Sequence, residues 1–213
     1  MWIKFFNAFA KITGWLVQWF CFRTKIYYED KSAQGRHIKG RAIIVSNHTS
    51  VYDYAVMLFV FFTRTLRYQM AEVLFEKKGL GTLLRWLGGI YVNRNNHDLS
   101  FVRKSLDILH DGGVVGVFPE GRLPRKGEER PLPFTSGVTY IALQSGAPII
   151  PVYTNGSYFG RKRARVIIGK PIDVLELADP SLTEKENLLQ ITEKIRERIK
   201  ELGKELDEKT KKS

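Results

Sequence analysis

His48 and Asp53 stand five residues apart in Asn47-His48-Thr49-Ser50-Val51-Tyr52-Asp53, directly after the apolar run Ala42-Ile43-Ile44-Val45. An imidazole backed by a carboxylate is a general base held in one tautomer. The spacing restricts how the pair meets. Along a continuous helix five residues rotate by about 140°, which would part the two side chains. His48 is therefore expected in a turn ahead of a helix and Asp53 in that helix's first turn. From there the carboxylate folds back to one ring nitrogen and leaves the other free to take a proton from a substrate hydroxyl. The chain has no G-x-S-x-G motif, and its lone cysteine, Cys21, lies in an aromatic N-terminal segment. Direct attack by a substrate hydroxyl is thus favoured over a covalent intermediate on the protein.

Three further groups have the right chemistry. Arg94 closes Gly89-Ile90-Tyr91-Val92-Asn93-Arg94 and suits a phosphate ligand. Glu120, in Phe118-Pro119-Glu120-Gly121, offers an acceptor to backbone N–H groups or to polyol hydroxyls, and Gly121 permits close backbone approach. Arg161, Lys162, Arg163, Arg165 and Lys170 form a basic run without an acid, suited to anionic lipid or to an acidic donor. Metal binding has no support, since there is neither a Cys/His cluster nor an H-E-x-x-H spacing. A P-loop and a G-x-G-x-x-G fingerprint are also missing from the sequence.

The elements that must position these groups follow from periodicity. Strands are predicted over 41–46, 66–72, 90–92, 114–118, 148–153 and 164–168. Helices are predicted over 51–62, 80–87, 98–109, 135–143 and 183–203. The last uses Leu188, Ile191, Ile195, Ile199 and Leu202, and the charged tail after it is expected to fray. Residues 119–133 form a polar loop with four prolines. Strands alternating with helices predict an α/β fold, a mixed, mainly parallel sheet flanked by helices. His48, Arg94 and Glu120 each fall just past a predicted strand, and ligands of such sheets sit beyond the strands' carboxyl ends.

At 213 residues the chain is expected to hold one catalytic domain, residues 31–213, behind an appended segment, residues 1–30. The net charge of +12 implies an anionic partner. A single cysteine excludes an intrachain disulfide and points to a reducing compartment. Eight of the 26 aromatics fall between Trp2 and Phe22, three tryptophans among them. On a helical wheel Trp2, Phe5, Phe6, Phe9, Ile12, Leu16, Val17, Trp19 and Phe20 share one face, opposite Lys4, Asn7, Lys11, Gly14 and Gln18. The longest uncharged run of that segment, the apolar stretch Ile12 to Phe22, is 11 residues, short of the roughly 20 that span a bilayer. A secretory signal is disfavoured by Lys11 and by the lack of a small-residue cleavage site. The pattern is that of an amphipathic interfacial anchor, with Gly14 dividing it into two helices.

Taken in order, four blocks resemble the glycerolipid acyltransferases that include bacterial 1-acylglycerol-3-phosphate acyltransferases. They are Asn47 to Asp53, Gly89 to Arg94, Phe118 to Gly121, and Ala147-Pro148-Ile149-Ile150-Pro151-Val152. The resemblance covers about residues 40–172. It implies transfer of an acyl group from acyl-CoA or an acyl-carrier protein to a lysolipid hydroxyl, with no bound cofactor and no metal. His48 would be the general base, Asp53 its orienting partner, and Arg94 and the segment with Glu120, Gly121 and Arg122 would bind the acceptor's phosphate. The expected placement is peripheral, on the cytoplasmic face of a membrane with anionic lipids; a nucleic-acid binder is disfavoured, since no such motif appears and the aromatics cluster with aliphatics rather than with the basic runs. Two departures bear on the acceptor. The family's F-P-E-G-T-R reads Gly121-Arg122-Leu123 here, and Phe134-Thr135-Ser136-Gly137 lacks the usual basic residue. Lysophosphatidate is the default acceptor and another lysolipid or hydroxylated lipid the alternative. A non-enzymatic membrane-binding protein and a lipid hydrolase are the rival classes.

Overall fold

The computed structural model describes residues 1–93, 98–159 and 163–211. Helix α1 (Trp2–Thr13) and a short α2 (Trp15–Val17), which continues as a π-helical turn over Gln18–Phe22, precede the sheet. Strand β1 (Lys25–Tyr28) and β2 (Ala42–Ser46) lead into α3 (Asp53–Val60). Then come β3 (Leu66–Ala71), α4 (Glu72–Glu76), α5 (Leu80–Trp86), β4 (Ile90–Val92), α6 (Ser100–His110) and β5 (Val114–Val117). Helix α7 (Gly137–Ser145), β6 (Ile149–Thr154), β7 (Arg165–Ile168) and α8 (Glu184–Lys211) complete the chain.

The seven strands form one sheet in the order β1-β7-β6-β2-β5-β3-β4. Every neighbouring pair is parallel except β6 and β7, so β1 and β7 run against the other five. This is the expected α/β architecture. Alternation along the strands divides the core between two faces. Ala42, Ile44, Val114, Ile150 and Val152 meet α3, α4 and α5 through Val56, Met57, Val60, Phe75 and Leu84. Ile43, Val45, Val115, Val117 and Ile149 meet α6, α7 and α8 through Leu109, Ile141, Ile191, Ile195 and Ile199.

Three differences from the sequence reading have physical causes. Lys25–Tyr28 joins the sheet beside β7, although no strand was predicted before Ala42, so the sheet takes in part of the 1–30 segment. Its four residues are exposed or half-buried, which hides the strand from a hydropathy pattern. The expected frayed tail is instead the end of α8, which runs to Lys211. Leu206, fully buried against Ile167, fastens it, and the Lys209–Glu205 pair at 3.2 Å lies along its last turns. A short α4 follows β3 directly where no helix was expected.

The N-terminal pair is built inside out relative to an ordinary surface helix. Gly14 separates the two helices, as the sequence suggested. A Cβ there would lie 2.8 Å from the Phe59 ring, so glycine lets the bend settle on α3. The polar stripe faces the protein: Asn7 is buried with Nδ2 donating to the Leu87 carbonyl at 2.6 Å, and Lys11 Nζ donates to the Phe62 carbonyl at 3.0 Å. Trp2, Phe5, Phe9, Ile12, Trp15, Trp19 and Phe20 are exposed on the other side. Among the described residues no helix is long and apolar enough to cross a membrane.

Candidate active site

β2 ends at Ser46, and the chain turns through His48 to Ser50 before α3 begins at Asp53. Asn47 fixes the start of that turn. Its side chain exchanges two hydrogen bonds with the Thr154 backbone at the end of β6, at 2.8 and 2.9 Å. His48 Nδ1 then lies 2.8 Å from Asp53 Oδ2, the geometry the spacing predicted. Asp53 is fully buried and takes four more hydrogen bonds. The backbone N–H groups of Thr49 and Ser50 donate to Oδ2 at 2.6 and 2.9 Å. The Thr49 and Tyr158 hydroxyls donate to Oδ1 at 2.8 and 2.5 Å. A carboxylate so surrounded can only accept from His48, so Nδ1 carries the proton and Nε2 is left as the acceptor.

The imidazole is also held by packing. It stacks on Phe118 with centroids 4.4 Å apart and planes 10° from parallel. Phe118 is backed by the fully buried Tyr68 ring at 5.0 Å. Tyr68 crosses β5 at Gly116, where a Cβ would lie 2.1 Å from the ring, so only glycine admits that support.

Glu120 sits at the carboxyl end of β5, 7% exposed. Its Oε1 accepts the His48 N–H at 2.6 Å and its Oε2 accepts the Leu132 N–H at 2.9 Å. Of the two uses its chemistry allowed, the structure has the backbone one: Glu120 joins the His48 turn to the 119–133 loop. Burial pushes its carboxyl up, and the two backbone bonds partly offset that. The loop is held in turn by α8, where Arg196 Nε donates to the Leu132 carbonyl at 3.1 Å. Gly121, at φ +67°, lines the cavity described below. Arg122 points elsewhere, with its side chain 47% exposed and both guanidinium nitrogens 2.8 Å from the Glu128 carboxylate. Arg94, Arg161 and Lys162 lie outside the described residues.

Tyr158 was missed by sequence reasoning. Burial and the Asp53 charge hold its phenol far above its usual range, so it stays a donor. It follows β6 as His48 follows β2, and that placement was its one sequence signal. Its ring meets Phe22 at 5.5 Å, and the Phe159 N–H donates to the Cys21 carbonyl at 3.1 Å. The last turn of the N-terminal pair is thereby fastened to the segment that supports Asp53.

A cavity of about 1000 Å³ opens at His48. Leu58, Met70, Leu74, Leu83, Leu84 and Phe101 give it an apolar wall drawn from α3, β3, α4, α5 and α6. That volume, at the upper end of small-molecule sites, suits a flexible chain. Among the described residues no group of three His, Cys, Asp or Glu could hold a metal ion.

An α/β domain that aims a tautomer-locked imidazole at the mouth of an apolar cavity has the parts to activate a hydroxyl beside a lipid chain. Comparison with known proteins agrees with that class. The Acyltransferase family model matches residues 13–155, and the chain belongs to that family. It is 29% identical over 171 residues to the 1-acyl-sn-glycerol-3-phosphate acyltransferase of Bacillus subtilis (strain 168), covering 78% of this chain and 83% of that one. With the enzyme of the same name from Limnanthes douglasii it shares 30% identity over 165 residues, but it spans 56% of that protein's length. The fold matches the crystal structure of the 1-acyl-sn-glycerophosphate (LPA) acyltransferase from Thermotoga maritima. The TM-score is 0.63 at 23% identity, over 94% of this chain and 79% of the other.

Proposed function

We propose that the protein is an O-acyltransferase that moves a fatty acyl group from an acyl thioester to the hydroxyl of 1-acyl-glycerol-3-phosphate, giving phosphatidate. The observation that carries this reading is the His48 Nδ1–Asp53 Oδ2 contact at the mouth of an apolar cavity. His48 Nε2 takes the acceptor's proton as the hydroxyl oxygen bonds to the thioester carbonyl. The tetrahedral intermediate collapses, the C–S bond breaks, and the leaving thiolate receives that proton from the imidazolium. Asp53 keeps the base in its tautomer and stabilises its charge. Thr49, Ser50 and Tyr158 hold Asp53, Glu120 holds the backbone of His48, and the acyl chain lies in the cavity.

The donor is acyl-CoA or an acidic acyl-carrier protein, and no bound cofactor enters the steps. Arg94 and the segment from Gly121 to Arg122 receive the acceptor's phosphate. For Arg122 this requires exchanging the Glu128 carboxylate for the phosphate, which the same bidentate fork fits. Residues 1–22 rest on the cytoplasmic face of an anionic membrane. Their outward aromatic face and inward polar stripe support that placement.

The decisive experiment supplies purified protein with an acyl thioester, with and without lysophosphatidate, and repeats it with His48→Ala. Acceptor-dependent thiol release that the variant abolishes is expected. Equal release without acceptor identifies a hydrolase, and undiminished transfer by His48→Ala refutes the mechanism.

A further inference from the structure

A second cavity, of about 1010 Å³, lies between the N-terminal helices and the other flank of α3, and among the described residues it shares no lining with the cavity at His48. Its walls are aromatic. Trp15, Trp19 and Phe20 form one side, and Phe59 and Phe62, at the far end of α3, form the other. Among the described residues the ionisable groups that line it are all cations, Lys11, Arg23, Arg36 and Arg163, with no aspartate or glutamate. Two of the four are occupied by the fold. Lys11 Nζ donates to the Phe62 and Arg64 carbonyls at 3.0 and 2.5 Å. Arg36 donates to the Phe59 and Val60 carbonyls at 2.6 and 2.9 Å. Both satisfy carbonyls at and just beyond the carboxyl end of α3, where cations are favoured.

Arg23 and Arg163 do no such work. Both are exposed, and neither side chain meets an acidic group among the described residues. Arg23 is held at φ 49°, a left-handed conformation that residues with a Cβ rarely adopt. Beside it, Gln18 Oε1 and Thr24 Oγ1 are buried without a hydrogen-bond partner among the described residues. Buried polar atoms are normally satisfied; of these two, the Thr24 hydroxyl can donate to an anion, whereas Gln18 Oε1 only accepts.

We propose that this cleft seats one anionic phospholipid. Its phosphate lies between the Arg23 and Arg163 guanidinium groups. Its chains lie between the tryptophans of the N-terminal pair and Phe59 and Phe62. An acidic peptide would meet the charge but waste the aromatic walls, and a neutral lipid would leave the arginines unpaired. An anionic amphiphile satisfies both. The cleft is large enough for a glycerophosphate headgroup and the first segments of two chains. The occupant has two sources with one chemistry: phosphatidate formed at His48, or an anionic lipid of the surrounding membrane. The site concerns lipid retention and stands whether or not acyl transfer is the reaction.

Native mass spectrometry of the full-length protein, released from detergent after incubation with phosphatidate, phosphatidylglycerol or phosphatidylcholine, tests the proposal. One retained lipid per chain is expected with either anionic lipid, at least tenfold above phosphatidylcholine. Arg23→Gln/Arg163→Gln should lower that occupancy at least tenfold. Arg103→Gln/Lys104→Gln, with the same loss of charge on α6, should keep it. Retention of phosphatidate alone marks a product site, and retention of both anionic lipids marks a membrane-lipid seat; each supports the proposal. Equal retention of phosphatidylcholine, or equal loss in the α6 variant, overturns it. Should Arg23→Gln fail to fold because of its backbone conformation, Arg163→Gln alone reads the same outcome.

Discussion

Replacing Asp53 by asparagine separates the two services a carboxylate does for its histidine, orientation and charge. In the Ser-His-Asp hydrolases the same change costs about 10⁴-fold, because the wrong tautomer is stabilised. The donors around Asp53 predict a smaller loss here. Oδ2 faces three N–H groups, those of Thr49, Ser50 and the His48 ring. Oδ1 faces only the hydroxyls of Thr49 and Tyr158, which can rotate and accept. Asparagine should therefore place its carbonyl at Oδ2 and its amide at Oδ1, keeping the proton on Nδ1. The remaining loss is that of charge. A charge-assisted bond exceeds a neutral one by about 1–1.5 kcal/mol, or roughly 5- to 13-fold in kcat. Single-turnover acyl transfer by the purified variant measures it. A loss near 10⁴-fold in a folded protein would show that the amide has flipped and that the two backbone N–H groups do not set the tautomer. Asp53→Ala provides the contrast: it leaves five donors facing a void, each costing about 1–3 kcal/mol, and should be recovered largely unfolded.

Tyr158→Phe removes one charge-assisted bond from Asp53, and kcat should fall roughly 5- to 50-fold with KM for the thioester unchanged; a rise in KM with kcat unchanged would instead assign Tyr158 to substrate binding. Gly116→Ala drives a methyl into the Tyr68 ring and should lower stability by about 3 kcal/mol or more in urea titrations, with activity following. Arg94→Ala should raise KM for lysophosphatidate and leave that for a zwitterionic lysolipid alone; Arg122→Ala should do the same only if its fork leaves Glu128, so Glu128→Gln should then lower that KM. Burial lowers the Lys11 ammonium to about 8 from 10.5, so the unfolded chain binds more protons between those values and stability should rise with pH across that window. Urea midpoints at pH 7.5, 9 and 10 measure the rise, and Lys11→Met should flatten it.

The sequence determined the parts of this protein whose information is local. The apolar runs that became β2, β5 and β6 declare themselves within a few residues, because a strand buried on both faces needs an unbroken hydrophobic stretch. The five-residue interval between His48 and Asp53 predicted their contact, because one turn and one helix start connect them. Tertiary structure decided what depends on distant chain. Tyr158 reaches Asp53 across 105 residues, and no periodicity links a tyrosine after β6 to a helix after β2. Glu120 was legible as a carboxylate past a strand, but its two backbone partners lie 72 and 12 residues away, so only the fold made it a strut. The wheel of the N-terminal helices revealed two unlike faces; which of them meets the protein was fixed by Asn7 finding Leu87 and Lys11 finding Phe62. The cavities belong to this second kind, since empty space is a property of how helices are set against a sheet and not of any one stretch of residues.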